Sequence, residues 1–179
     1  MVSRLRKELE VNKCAFMGRN GTLHTMPKNG KLNIFDYRRL ENVVPALNTL
    51  GMSGYMLSVV VNEKGSQEVS NDYHAVVHQV ENWIREDVYS PIFFRYCYHH
   101  HAKKCECRLP KTGLIDALVK EHDIDLSGSI MFATSEQEIK AAEAAGIANI
   151  VRINTGKADW KDSDLPLYDS LYDAVRDFV

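Results

Sequence analysis

Tyr55-Met-Leu-Ser-Val-Val-Val61 is a continuous apolar run rich in β-branched residues, followed at once by the polar turn Asn62-Glu-Lys-Gly65-Ser66. Such a run reads as a strand covered on both faces, which is the habit of parallel sheets. Upstream, from Asp36, apolar residues fall at Leu40, Val43, Val44, Leu47 and Leu50. That spacing is the stripe of an amphipathic helix, with Gly51 as its stop. Downstream, Ser70 is placed to cap a helix whose stripe is Tyr73, Val76, Val77, Val80, Trp83 and Ile84. Lys13-Cys-Ala-Phe-Met17 is an earlier short strand running into the glycine-rich loop Gly18-Arg-Asn-Gly21-Thr22. Later strands are expected at Ile92–Tyr96, Ser129–Ala133 and Asn149–Ile153. Between and after them come three helices. One is capped by Thr112 with Ile115, Leu118 and Val119 inward, one is opened by Ser135-Glu-Gln-Glu138 and closed by Gly146, and one carries Leu171, Val175 and Phe178. Strands alternating with helices imply an α/β fold, a parallel sheet with helices on both faces. Ligands of such sheets lie beyond the carboxyl ends of the strands, so residues 18–22, 62–66, 97–111 and 133–138 are expected on one rim.

Composition sets outer bounds on this reading. The chain has 179 residues, 45% of them hydrophobic, enough for one well-buried domain over 13–179 behind a charged tail at 1–12. A net charge of -2 gives no global field to gather nucleic acid or an anionic membrane, so neither is expected as a partner. The first residues lack the apolar core of a signal peptide, and no run approaches the ~18 apolar residues of a membrane span. A cytoplasmic protein with reduced thiols is expected.

The densest chemistry lies in Cys97-Tyr-His-His-His-Ala-Lys-Lys-Cys-Glu-Cys-Arg-Leu-Pro110. Cys97, His99, Cys105 and Cys107 place three thiols and an imidazole in one short loop, the donor set of a structural zinc. The competing reading, free cysteines beside a solvated histidine run, sits poorly with Cys105 and Cys107 lying among Lys103, Lys104 and Arg108. His100 and His101 are not needed as ligands, and His24, His74, His78 and His122 are scattered. Cys14, in an apolar run, reads as a buried small residue.

In series, these motifs resemble the haloacid dehalogenase superfamily of phosphatases, in the branch of the heptose 1,7-bisphosphate and histidinol-phosphate phosphatases. The resemblance runs from about Cys14 to the C-terminus. It is carried by the C-x-H…C-x-C-R-x-P loop, Gly21-Thr22 after the first strand, Asn62-x-x-Gly65 after the second and Thr155-Gly-Lys157 after the fifth. It implies a Rossmann-like sheet of that superfamily's type with a zinc loop.

The resemblance also implies a D-x-D-G-T motif in which the first Asp attacks phosphorus and the second is acid and base. Gly18 and Asn20 stand at those positions. Val61 stands where a phosphoryl-binding Ser or Thr is expected, Leu109 where a lysine balances phosphate charge, and Thr134 where an Asp binds Mg²⁺. Glu138 remains, either as a metal carboxylate or as the capping-box partner of Ser135. These departures lead to the expectation of a catalytically inactive pseudo-phosphatase that binds Zn²⁺ but not Mg²⁺. Its old rim would seat a protein partner or a second copy on Val61 and Leu109, with a phosphorylated small molecule as the second candidate. Arg19, Asn62, Arg108 and Lys111 would supply any anion contacts. The alternatives are a residual phosphatase on a sugar bisphosphate or histidinol phosphate, and a sensor of such a metabolite.

Overall fold

The computed structural model describes residues 12–25, 37–63, 71–100, 104–154 and 164–179. Six strands, β1 (Lys13–Met17), β2 (Tyr55–Asn62), β3 (Ile92–Cys97), β4 (Ile130–Ala133), β5 (Asn149–Ile153) and β6 (Leu167–Tyr168), form one sheet in the order β3-β2-β1-β4-β5-β6. Every pairing is parallel. The carboxyl ends of β1 to β4 therefore share one rim, as the alternation of elements predicts. The α-helices among the described residues are α1 (Val43–Met52), α2 (Asn71–Asp87), α3 (Gly113–His122), α4 (Glu136–Ala145) and α5 (Leu171–Phe178).

Two cores sandwich the sheet, and β1 feeds both because successive side chains point to opposite faces. Ala15 and Met17 join Leu57, Val59, Phe132 and Val151 against Val43 and Leu47 of α1, Ile84 of α2 and Leu171 and Val175 of α5. Cys14 and Phe16 join Val60, Met131 and Ala133 against Leu114, Ile115 and Leu118 of α3 and Ala141 and Ala142 of α4. The thiol of Cys14 is wholly buried and pushed up to about 12 by that burial, against the pull of a hydrogen bond with Ser58. It is a packing residue.

Several boundaries differ from the sequence expectation. Helix α1 begins at Val43 rather than near Asp36 and runs through Gly51 to Met52. Gly54, at φ +81°, makes the turn into β2. At Gly51 the reason for glycine is space, since a Cβ would meet Ser90 Oγ at 2.0 Å. The strand β6, too short for periodicity to reveal, adds a further edge. The capping box of Ser135 and Glu138 and the left-handed Gly146 are as expected. The tail 1–11, Ser70, Tyr73's side chain, His101, Lys103 and Thr155-Gly-Lys157 lie outside the described residues. Among the described residues no helix is long and apolar enough to cross a membrane.

Candidate functional site

The end of β3 carries Cys97 into a loop that folds back on itself and brings together Cys97, His99, Cys105 and Cys107. Cys97 Sγ lies 3.3 Å from Cys107 Sγ and 3.6 Å from both Cys105 Sγ and His99 Nδ1. His99 Nδ1 lies 3.1 Å from Cys107 Sγ. All four donor atoms fall within 4.8 Å of one another. A tetrahedron with metal–sulfur bonds of about 2.3 Å has edges near 3.8 Å, so the cluster has the dimensions of a single-metal site. Burial, then the crowding of Cys97 and Cys105, pushes the Cys107 thiol up to about 12, and a divalent cation is what reverses such a penalty.

The loop is tied to the sheet by residues that the sequence reading assigned to ligands. Asn62 Nδ2 donates to Leu109 O and its Oδ1 accepts from Leu109 N, both at 2.9 Å, and Nδ2 also reaches Gln137 Oε1 at 3.3 Å. Arg108 Nη1 donates to Glu63 O at 2.9 Å and to His99 O at 3.0 Å. Lys111 Nζ pairs with Glu106 Oε1 at 2.7 Å. Gly113 passes so close to Glu106 O that a Cβ would meet it at 2.6 Å, and its N–H donates to the same oxygen. The expectation that Asn62 and Arg108 reach outward as anion contacts is therefore corrected, since both are spent on the protein's own backbone, whereas Lys111 stays exposed beside Glu106. The clamp by Asn62 and the close approach at Gly113 were missed, because neither carries a local sequence signal.

The loop after β1 turns inward. Arg19 is buried, its Nη1 paired with Glu63 Oε1 at 2.6 Å, and its guanidinium faces the rings of Tyr37 and Tyr96 at 6.0 and 5.8 Å. It too is not the rim contact expected of it. Burial pushes the Glu63 carboxyl above its ordinary range even with Arg19 pulling the other way. Val61 and Leu109 are core residues, 8% and 5% exposed. An apolar rim surface made by these two, the reason for expecting a partner there, does not exist.

At the center of the rim, where β1 and β4 lie side by side, Gly18 faces Glu138. A Cβ on Gly18 would lie 2.3 Å from Glu138 Oε1 and 3.4 Å from Oε2. Glu138 Oε2 accepts from Thr134 N at 2.6 Å and from Thr134 Oγ1 and Ser135 N at 3.1 Å each. Thr134 Oγ1 also reaches Asn20 O at 3.3 Å, joining the loops after β1 and β4. Burial raises the Glu138 carboxyl above the ordinary range, against the pull of the Thr134 and Ser135 donors.

No family model matches the sequence. The chain is 32% identical over 178 residues to the D-glycero-beta-D-manno-heptose-1,7-bisphosphate 7-phosphatase of Haemophilus ducreyi, covering 91% of this chain and 96% of the relative. The protein of the same name from Haemophilus influenzae is 32% identical over 158 residues, 82% of this chain and 84% of the relative. Among solved structures, D,D-heptose 1.7-bisphosphate phosphatase from B. bronchiseptica, complexed with magnesium and phosphate, superposes with a TM-score of 0.76 at 14% identity, covering 93% of this chain and 97% of that one. The likeness to that structure is one of fold. Gly18, Asn20 and Thr134 offer no carboxylate, and one oxygen of Glu138 is already taken by three donors, so this donor set does not fit a hard cation that wants near-octahedral oxygens.

The expectation of an inactive scaffold is corrected here: near full-length relatives at 32% identity are named as phosphatases, and they favor the phosphatase alternative. With the parallel sheet, the rim and the zinc-type loop in place, the similarity over nine-tenths of the sequence places this chain in the haloacid dehalogenase superfamily, in the branch of the heptose 1,7-bisphosphate phosphatases.

Proposed function

We propose that this chain is a slow phosphomonoester hydrolase acting on a sugar bisphosphate of the heptose class, with a zinc ion held by Cys97, His99, Cys105 and Cys107 as a structural element. The observation that carries the reading is the 32% identity over 91% of the chain to a relative named as a D-glycero-beta-D-manno-heptose-1,7-bisphosphate 7-phosphatase. The rim formed by the loops after β1, β2, β3 and β4 supports it, because a parallel sheet presents its ligand site there. The zinc reading is supported by the donor set and its spacing.

Slowness follows from the residues. Gly18 has no side chain to form a covalent intermediate, so phosphorus is attacked by water directly. Asn20 cannot donate a proton to the leaving alkoxide as a carboxylic acid does, and such assistance is typically worth roughly 10²–10⁴ in rate. The test is phosphate release from D-glycero-beta-D-manno-heptose 1,7-bisphosphate by the zinc-loaded protein, with and without Mg²⁺, beside the Haemophilus ducreyi relative. Turnover at the 7-phosphate is expected to be slower than that relative's by at least about 10²–10⁴, the factor for the missing acid alone. Folded, zinc-loaded protein that releases no phosphate above the buffer control, or activity that parts from the protein on repurification, would sink the reading.

A further inference from the structure

Gly18 and Glu138 are 120 residues apart and occupy one space. The carboxylate of Glu138 stands where the side chain of residue 18 would stand, with Oε1 2.3 Å from the position of a Cβ there. Its aim is fixed by the three donors on the other oxygen, the backbone N–H groups of Thr134 and Ser135 and the Thr134 hydroxyl. The capping box thus engages Oε2 while Oε1 is turned toward the loop of Gly18. A glycine at 18 is what makes room for it.

We infer that Glu138 has replaced residue 18 as the carboxylate of this rim and accepts the proton of the attacking water. This inference rests on the phosphatase reading above. In the step, the water oxygen bonds to phosphorus and one water proton passes to Glu138 Oε1. The ester P–O bond breaks, and the departing alkoxide takes a proton from solvent. Glu138 then returns its proton to solvent, so no oxidant or further reactant enters. A carboxylate accepting a proton from water is a base rather than a nucleophile, and no phosphoryl-enzyme forms.

Two measurements test this. The first is the pH dependence of phosphate release from the heptose bisphosphate for the wild type, Glu138→Gln and Glu138→Asp, all zinc-loaded. Glutamine keeps an oxygen acceptor for the cap, so it preserves the fold while removing the base. Glu138→Gln is expected to lose at least roughly a hundredfold in kcat, and Glu138→Asp to retain part of it. The wild-type rate should fall on acidification along a limb absent from the residual rate of Glu138→Gln. The second is urea unfolding of Gly18→Ala in the wild-type and Glu138→Ala backgrounds, which reads the shared space without reference to activity. The methyl group should destabilize the wild type and be tolerated once Glu138 is truncated. Equal destabilization in both backgrounds, or wild-type turnover unchanged in Glu138→Gln, would overturn the inference while the phosphatase reading stands. Absence of wild-type turnover would remove both.

Discussion

His24 ends the tight turn after β1, fully buried, with neither ring nitrogen hydrogen-bonded among the described residues and its ring edge-on to Tyr37 at 6.4 Å. Burial first, then the positive charges of Arg19 and Arg39, pull its pKa down to about 4 from the ordinary 6.5. Between those values the unfolded chain binds a proton that the folded one does not, so acid favors unfolding. The stability held by the neutral ring is complete above pH ~6.5 and is lost as pH falls toward ~4, at up to about 1.4 kcal/mol per pH unit. Glu63 and Glu138, whose pKa values are raised by burial, contribute with the opposite sign, so the histidine must be isolated by difference. In urea titrations at several pH values, the stability of the wild type relative to His24→Gln should decline steadily from pH 6.5 to 4. A difference that does not move with pH would mean that the ring is paired or already protonated. The sequence showed only a scattered histidine, because nothing local announces that a neighboring arginine and a tyrosine will close over it.

At the scale of the element, the described residues between β3 and α3, 98–100 and 104–112, carry no helix or strand, and their order comes from the ligand cluster and from Asn62. Elemental analysis of protein made with ample metal should find close to one zinc per chain, and Cys105→Ser should lower that content. Chelation should speed amide exchange over 104–112 while the strands β1, β2 and β4 stay protected, since metal binding and loop folding are one equilibrium. Asn62→Ala, which strips two partners from Leu109, should weaken the same segment by about 1–3 kcal/mol. Protein that loads no zinc, or a loop equally protected after chelation, would remove the metal from this account. The four ligands were legible because their residue types and closeness are a local property. The clamp was not, since Asn62 and Leu109 are 47 residues apart and meet only when β2 and β3 pair in register.

For the whole molecule, the Arg19–Glu63 pair binds the ends of two adjacent strands beneath the rim. Tyr96 of β3 faces the same guanidinium and donates its hydroxyl to Glu81 of α2. Buried ion pairs are costly to break from one side and cheap to replace from both. Arg19→Met should destabilize by about 3–5 kcal/mol, leaving Glu63 buried without a counter-charge, whereas Arg19→Met with Glu63→Leu should recover most of that loss. A complete urea cycle of the wild type, both single variants and the double variant measures this. A double variant no more stable than the sum of its singles predicts would show that the pair is not coupled.

By itself the sequence determined the parallel α/β architecture, the rim on which four loops converge and the metal-type donor set. Each rests on a pattern of a few residues: apolar runs such as Val59-Val60-Val61, helical stripes such as Leu47 and Leu50, and ligands within one loop. Tertiary structure alone decided which side chains face the rim. Arg19, Asn62 and Arg108 are turned to internal partners, and Val61 and Leu109 are covered by the cores. It also decided that Glu138, read in sequence as either a cap or a metal carboxylate, is a cap that also fills the space vacated at Gly18. The physical reason is that a polar side chain takes whichever partner the fold brings within about 3 Å, and that partner usually lies far along the chain.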